Sequence, residues 1–285
     1  MINTIKYFFQ ALIVYSFFLI IKILGLVISR KLFSFIFRKI GPLIKSNNII
    51  EKNLDIYSDK LSENEKKLIQ LNMWSNYGKT FVEYIFLKEF KNDNSHIEIE
   101  GKQILDKIRK DNKPVIFISG HFANFEFMSM EITKNEINLA TIYRPLNNFF
   151  LNPFMEHIRK KYICNNQIKK GRLGVKECIN YLNNNYSIAL MIDQRVSEGD
   201  RIEFFKKKAH TTSLPAQLSI KFSLDIVPIF IERKKNDSFK MKVYEPINTS
   251  NFKDKSELTK SLNQILENMI STNPNQWIWT HDRWK

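Results

Sequence analysis

The chain reads as an α/β protein: a mainly parallel central sheet flanked by helices and preceded by an N-terminal membrane helix. Two observations predict this. From His96 onward, short apolar and β-branched runs alternate with stretches of helical periodicity, the pattern of a sheet built through crossover helices. Ahead of that region, Phe8 to Ile28 is almost wholly apolar over 21 residues, which as a helix reaches about 31 Å, roughly the thickness of a bilayer core. A length of 285 residues with 44% apolar side chains supports a sizeable core. There is no internal repeat and no Pro- or Ser-rich linker, so the simplest partition is an anchor over 1–45 and one domain over 46–285.

The elements follow in order. The apolar run is interrupted only by Gln10, Tyr15, Ser16, Lys22 and Gly25. It is longer than the core of a secretory signal, its start carries only Lys6, and no small-residue cleavage site follows. Basic residues cluster behind it at Arg30, Lys31, Arg38, Lys39 and Lys45, which places the following domain on the cytoplasmic side. Lys22 sits toward the basic end, where it can snorkel. A helix lying in the interface and continuing through Leu32–Phe37 to Arg38 is the alternative to a spanning one. Gly41-Pro42 and the polar Ser46-Asn47-Asn48 predict a break. Leu61 to Phe90 has helical spacing, opened by Ser62 and Glu65 in the order of a capping box. Strands are predicted at Pro114–Ser119, Leu139–Tyr143, Ser187–Ile192, Ile226–Ile231 and Lys240–Tyr244. Helices are predicted at Phe125–Thr133, Asn148–Tyr162, Leu173–Asn184, Leu214–Phe222 and Ser256–Ile270.

The formal charge of +15, with a pI of about 9.6, predicts an anionic partner: nucleic acid, acidic lipid headgroups or an acidic carrier protein. No helix-turn-helix, zinc-finger or RNA-binding signature accompanies the charge, so nucleic acid is not the expected partner. The two cysteines, Cys164 and Cys178, have no metal-ligand spacing and read as reduced thiols. No Gly-x-Ser-x-Gly elbow, His-Glu-x-x-His pair or phosphate-binding glycine loop occurs.

The stretch that carries chemistry is Gly120-His121-Phe122-Ala123-Asn124-Phe125-Glu126, directly after the predicted strand Pro114–Ser119. On a continuous helix His121 and Glu126 would point about 140° apart. They converge only if His121 sits on the turn and Glu126 in the first helical turn, with Gly120 easing the turn and Asn124 available as a cap. A carboxylate there is favoured by the helix dipole and can orient one ring nitrogen while the other acts as a base. The spacing alone favours a structural histidine beside a surface glutamate. Asp193 follows the strand Ser187–Ile192 as His121 follows Pro114–Ser119, so parallel strands bring both to the carboxyl edge of the sheet. A cap of the following turn is the other role open to Asp193.

This heptapeptide resembles the His-x4-Glu motif of the lysophospholipid acyltransferase superfamily, in the form used by the lipid A biosynthesis (lauroyl/myristoyl transferase) branch. Further blocks match in order: Asn76-Tyr77-Gly78-Lys79 with Glu83, then Tyr143-Arg144-Pro145-Leu146-Asn147-Asn148, then Gly171-Arg172 and Asp193-Gln194. Phe204-Phe205 with Thr211-Thr212-Ser213 and Pro215-Ala216 follows, and the ending Trp279-Thr280-His281-Asp282-Arg283-Trp284-Lys285 resembles that branch's Trp-x-His-x-Arg-(aromatic)-Lys. Two departures are Asp282, where a second basic residue is frequent, and Lys206-Lys207-Lys208, where a glycine is common.

The resemblance implies an acyltransferase αβ fold and an O-acyltransferase of the bacterial inner membrane. It would move a fatty acyl chain from acyl carrier protein to a hydroxyl of an anionic glycolipid, a Kdo2-lipid IVA-like precursor. It implies His121 as general base oriented by Glu126, and Arg144, Arg172, Asp193 and Asn124 as substrate-binding residues, with no metal and no cofactor beyond the acyl-carrier co-substrate. A related enzyme acting on a glycerophospholipid, an ornithine lipid or another glycolipid is the alternative. His281 reads as structural, and His96, His157 and His210 have no evident partner.

Overall fold

The computed structural model describes residues 2–44 and 47–285. Lys45 and Ser46, which hold the predicted boundary between anchor and domain and part of the predicted break, lie outside the described residues.

Helix α1 (Ile2–Ile44) is interrupted at Gly25, whose φ of 75° and ψ of 170° reverse its course. The rings of Phe17 and Phe33 lie 5.5 Å apart, whereas a straight helix would separate those residues by about 24 Å. Only glycine adopts that backbone readily. The predicted break at Gly41-Pro42 does not occur: Pro42 lies inside the helix. Gly41 serves close packing instead, because a Cβ there would enter the Trp74 ring of α3 (Glu63–Glu83). A Cβ at Gly78 of α3 would likewise strike the Phe33 carbonyl. The arm over residues 26–44 is therefore pressed along α3, with Phe33 and Phe37 stacked around Phe81. The arm over residues 2–24 buries Ala11 and Ile21 but exposes Ile5, Phe8, Phe9, Leu12, Ile13, Leu19, Ile20 and Ile23. Its contact with the body includes Tyr15 donating to the Phe150 carbonyl at 2.9 Å and Asn148 donating to the Tyr7 carbonyl at 2.9 Å.

After α2 (Asn47–Tyr57) and α3 come α4 (Leu87–Asn92), β1 (Ile97–Glu100), α5 (Lys102–Asp111), β2 (Ile116–Ser119), α6 (Glu126–Lys134) and β3 (Leu139–Tyr143). Then follow α7 (Asn152–Tyr162), β4 (Asn166–Lys169), α8 (Arg172–Asn183), β5 (Ser187–Met191), β6 (Asp200–Phe204) and β7 (Lys207–Thr211). The chain closes with α9 (Leu214–Phe222), β8 (Ile226–Arg233), β9 (Phe239–Val243) and α10 (Lys255–Thr272). The capping box at Ser62 and Glu65 opens α3 as expected.

Seven strands form one sheet in the order β1-β9-β8-β2-β5-β3-β4, while β6 and β7 form a separate hairpin. Every neighbouring pair of the large sheet is parallel except β8 and β9. The fold is thus the α/β architecture with a mainly parallel sheet. The central β2 is buried along its whole length, which is why it reads as a continuous apolar run. Its alternation divides the core: Phe117 faces a cluster with Phe127 and Val227, while Ile116 and Ile118 face one with Leu190 and Leu258.

Four strands escape the sequence reading. β1 and β4 are the two edges of the sheet, and their polar residues (Glu98 and Glu100; Asn166, Gln167 and Lys169) suit edges but dilute the strand pattern. The β6–β7 hairpin turns on Phe205 and Lys206, both with positive φ. That is a turn normally announced by Asn-Gly and here carried by residues that give no such signal.

Candidate functional site

His121 and Asp193 meet because their strands are neighbours in register. β2 and β5 pair in parallel with Ser119 opposite Met191, and His121 and Asp193 each stand two residues further on. Adjacent strands lie about 4.8 Å apart, within reach of two short side chains. The result is a hydrogen bond between His121 Nδ1 and Asp193 Oδ1 at 2.8 Å. Asp193 Oδ2 accepts the His121 backbone N–H at 2.7 Å and Trp277 Nε1–H at 2.9 Å. Asp193 is fully buried. Burial pushes its carboxyl up, but the adjacent His121 ring and the hydrogen bonds from His121 and Trp277 outweigh it and hold the group below the usual carboxylate range.

The carboxylate against His121 Nδ1 is therefore that of Asp193 and not that of Glu126, and Asp193, fully buried, does not line the cleft as a substrate-binding residue was expected to. The backbone between the motif's two ends explains the correction. Ala123 adopts a left-handed conformation with φ of 44°, which costs a non-glycine residue about 1–2 kcal/mol. It is held there by its N–H donating to the Gln276 carbonyl at 3.1 Å, and by its carbonyl accepting from Asn76 Nδ2 at 3.1 Å and Thr80 Oγ1 at 3.0 Å. Helix α6 then begins at Glu126 itself, and the carboxylate leaves on another side of the turn. Its Oε1 accepts Arg159 Nε at 2.8 Å, Arg159 Nη2 at 2.6 Å and the Tyr84 hydroxyl at 2.8 Å. Burial would pull the Arg159 guanidinium down, but Glu126 and Tyr84 raise it above its ordinary value. Burial foremost, and then the Glu126 charge, push the Tyr84 hydroxyl well up, so it stays a neutral donor.

Asn124 also departs from expectation. It neither caps α6 through its side chain nor reaches the cleft: it is fully buried, and its Nδ2 donates to Glu83 Oε2 at 2.9 Å. Glu83, also fully buried, is gripped by Arg233 and by Arg30, whose Nε donates at 2.8 Å. Arg233 further donates to Asn76 at 3.0 Å and Thr80 at 3.2 Å. The block Asn76 to Glu83 thus supports the motif turn from behind, and α1 contributes Arg30 to the same network.

In front of His121 lies a cleft of about 430 Å³. Phe125, Met128, Ile142, Ile163 and Leu190 supply apolar lining, and Arg144, Lys170 and the Glu126–Arg159 pair supply charge. The Phe125 ring stands edge-on to the His121 ring at 4.6 Å. Arg144 is exposed and, among the described residues, its side chain donates only to Asn147, at 3.5 Å. Burial and the nearby Arg144 charge pull the Lys170 ammonium down. Arg172 opens α8, exposed to solvent, and does not line the cleft.

The sequence reading missed Arg159, Tyr84, Lys170 and Trp277 as site residues. Arg159 lies in the last turn of α7 among Lys160 and Lys161, where an exposed basic residue is the ordinary expectation, so local pattern offers no signal. Trp277 lies in the Trp-rich ending, whose aromatic density could have marked it.

Chemically, the arrangement is an imidazole oriented at Nδ1 by a buried carboxylate, a geometry in which Nε2 can take a proton from a hydroxyl in the cleft. The model of the family "Bacterial lipid A biosynthesis acyltransferase" matches residues 2–285. The chain is 20% identical over 233 residues, 80% of its length, to "Lipid A biosynthesis acyltransferase 2" of Shigella flexneri, and covers 74% of that protein. Among solved structures it is similar to the 1-acyl-sn-glycerophosphate acyltransferase PlsC of Thermotoga maritima, at a TM-score of 0.42 and 13% identity, covering 89% of this chain and 100% of that one. The ordered motif blocks and the match along almost the whole chain agree: this chain belongs to the bacterial lipid A biosynthesis acyltransferase family, and it is an acyltransferase.

Proposed function

We propose that this acyltransferase moves a fatty acyl chain from the thioester of acyl carrier protein to a hydroxyl of a Kdo2-lipid IVA-like lipid A precursor, at the cytoplasmic face of a bacterial inner membrane. One observation carries the reading: His121 is held by the buried Asp193 through Nδ1 in a cleft lined by both apolar and basic side chains. An acyl chain and an anionic headgroup require those two linings together.

In this reading the acceptor hydroxyl approaches His121 Nε2, which takes its proton as the oxygen adds to the thioester carbonyl carbon. The Asp193 carboxylate stabilises the imidazolium that forms. When the tetrahedral intermediate collapses, the C–S bond breaks and the proton returns from His121 to the departing thiolate. Arg144 and Lys170 bind phosphate or carboxylate groups of the acceptor, Arg144 through the forked geometry that matches such anions. Glu126 and Arg159 neutralise each other in the cleft wall and keep the α6–α7 side in place.

The membrane reading rests on α1, whose most apolar 18-residue stretch has a mean hydropathy of 2.6. Its first arm turns one apolar side to the protein and the other outward, a distribution that favours a helix lying in the interface against the body. The charge of +15 attracts both anionic lipid and the acidic carrier protein. The test offers purified protein in detergent acyl carrier protein thioesters with lipid IVA, lysophosphatidate or ornithine lipid in turn. Transfer to lipid IVA, lost in His121→Ala, is expected. Transfer to lysophosphatidate alone would replace the acceptor, and full activity of His121→Ala would remove the mechanism.

A further inference from the structure

A second histidine reaches the same cleft from the C-terminal end of the chain. The segment that carries His281 is pinned throughout. Asn53 Nδ2 donates to the carbonyls of Trp279 and His281, both at 2.8 Å. Arg283 donates to the His210 carbonyl at 2.7 Å and to Thr211 Oγ1 at 2.8 Å, and Trp284 Nε1 donates to the Phe204 carbonyl at 3.0 Å. Trp277, four residues before His281, holds Asp193.

The tautomer of His281 is fixed by its neighbour. Its Nε2 lies 2.8 Å from the backbone N–H of Arg195, which can only donate, so Nε2 is the acceptor. In a neutral ring the proton then sits on Nδ1. Burial foremost keeps the ring neutral, pulling its pKa down, with the Arg283 and His121 charges acting the same way against Asp193. Among the described residues Nδ1 has no hydrogen-bond partner, and it is not one of the buried polar atoms left without one. Nδ1 is therefore not sealed inside the protein, and the ring that carries it lines the cleft of His121.

We propose that His281 is a catalytic residue whose Nδ1–H donates to the acyl carbonyl oxygen as His121 deprotonates the acceptor. As the acceptor oxygen adds, the carbonyl π pair moves onto that oxygen, and the Nδ1–H hydrogen bond stabilises the resulting oxyanion. Collapse returns the pair to the carbonyl and expels the thiolate, and the proton on His281 never leaves Nδ1. The inference rests on acyl transfer from a thioester through His121. It requires a donor fixed before reaction, which a neutral imidazole locked by a backbone amide provides.

Two substitutions separate this role from a tether for the Arg195 loop. Gln can place an oxygen where Nε2 accepts the Arg195 amide but offers no donor at the Nδ1 position. Asn places an amide nitrogen near the Nδ1 position but cannot reach the Arg195 amide. We expect His281→Gln to lose about 10²–10³-fold in kcat with little change in KM for the thioester, the usual effect of removing one such donor, while His281→Asn stays within about tenfold of the parent. His281→Gln at the parent rate, or His281→Asn slower than His281→Gln, would overturn the proposal. If His281→Asn does not fold, as read from its melting curve, the rate of His281→Gln alone decides. Parent protein and His121→Ala are assayed alongside. A parent that transfers nothing, or an unimpaired His121→Ala, breaks the underlying reading, whereas an active parent, an inactive His121→Ala and an unimpaired His281→Gln break only the role of His281.

Discussion

Replacing Asp193 with Asn keeps the size of the side chain and removes the charge that His121 depends on. The hydrogen bonds decide which way the amide turns. Asp193 Oδ2 accepts two N–H groups, from the His121 backbone and Trp277, so the amide oxygen must occupy that position and the NH2 must face Nδ1. A ring nitrogen that accepts there carries its proton on Nε2, where it can no longer take one from the acceptor. The lost charge adds to the wrong tautomer: unit charges about 4 Å apart interact by ~4 kcal/mol at an effective dielectric of about 20, or roughly 10³-fold in rate. Asp193→Asn is expected to fall by at least about 10³-fold in kcat, measured as acyl transfer from labelled acyl carrier protein. The sign of the pH dependence is also fixed. Asp193 has a folded pKa below its ordinary 3.8, so its stabilisation is fully present above that value and is lost as pH falls through the folded pKa. The melting-temperature gap between parent and Asp193→Asn should be constant near neutrality and narrow below about pH 4. Activity of Asp193→Asn within tenfold of the parent would refute the reasoning.

Glu126 and Arg159 form a nearly buried pair, so removing one charge should cost about 3–5 kcal/mol and removing both less than the sum. Chemical denaturation of Arg159→Met, Glu126→Gln and the double variant reads this, and additive losses would contradict the pairing. Gly78→Ala should destabilise by about 1–3 kcal/mol because its Cβ meets the Phe33 carbonyl. Helix propensity alone predicts a gain of about 1 kcal/mol, so the sign of the melting shift decides. Cys164 and Cys178 are both free and buried, and burial pushes the Cys178 thiol up to about 11. Neither should react with a water-soluble thiol reagent at pH 8 until denaturant is added, and rapid labelling of the folded protein would count against the core described here.

The sequence by itself determined the architecture wherever burial is complete. β2 and β5 read correctly as apolar runs, and the capping box located the start of α3, because those signals are local. It also marked His121, Asp193 and the block Asn76 to Glu83 as significant. What it could not assign was partnership. Whether Asp193 or Glu126 meets His121 depends on the register of β2 against β5 and on a left-handed Ala123, held by groups from α3 and the Gln276 carbonyl. The same holds for the fold-back of α1: Gly25 is one glycine in an apolar run, and only the groove of α3 makes its positive φ visible. Edge strands, and an arginine in the last turn of α7 that closes on Glu126, acquire their meaning from neighbours distant in sequence. Sequence patterns report whether a residue faces protein or water, whereas the hydrogen-bond partner of a polar side chain is decided by the strands and helices that the tertiary fold sets beside it.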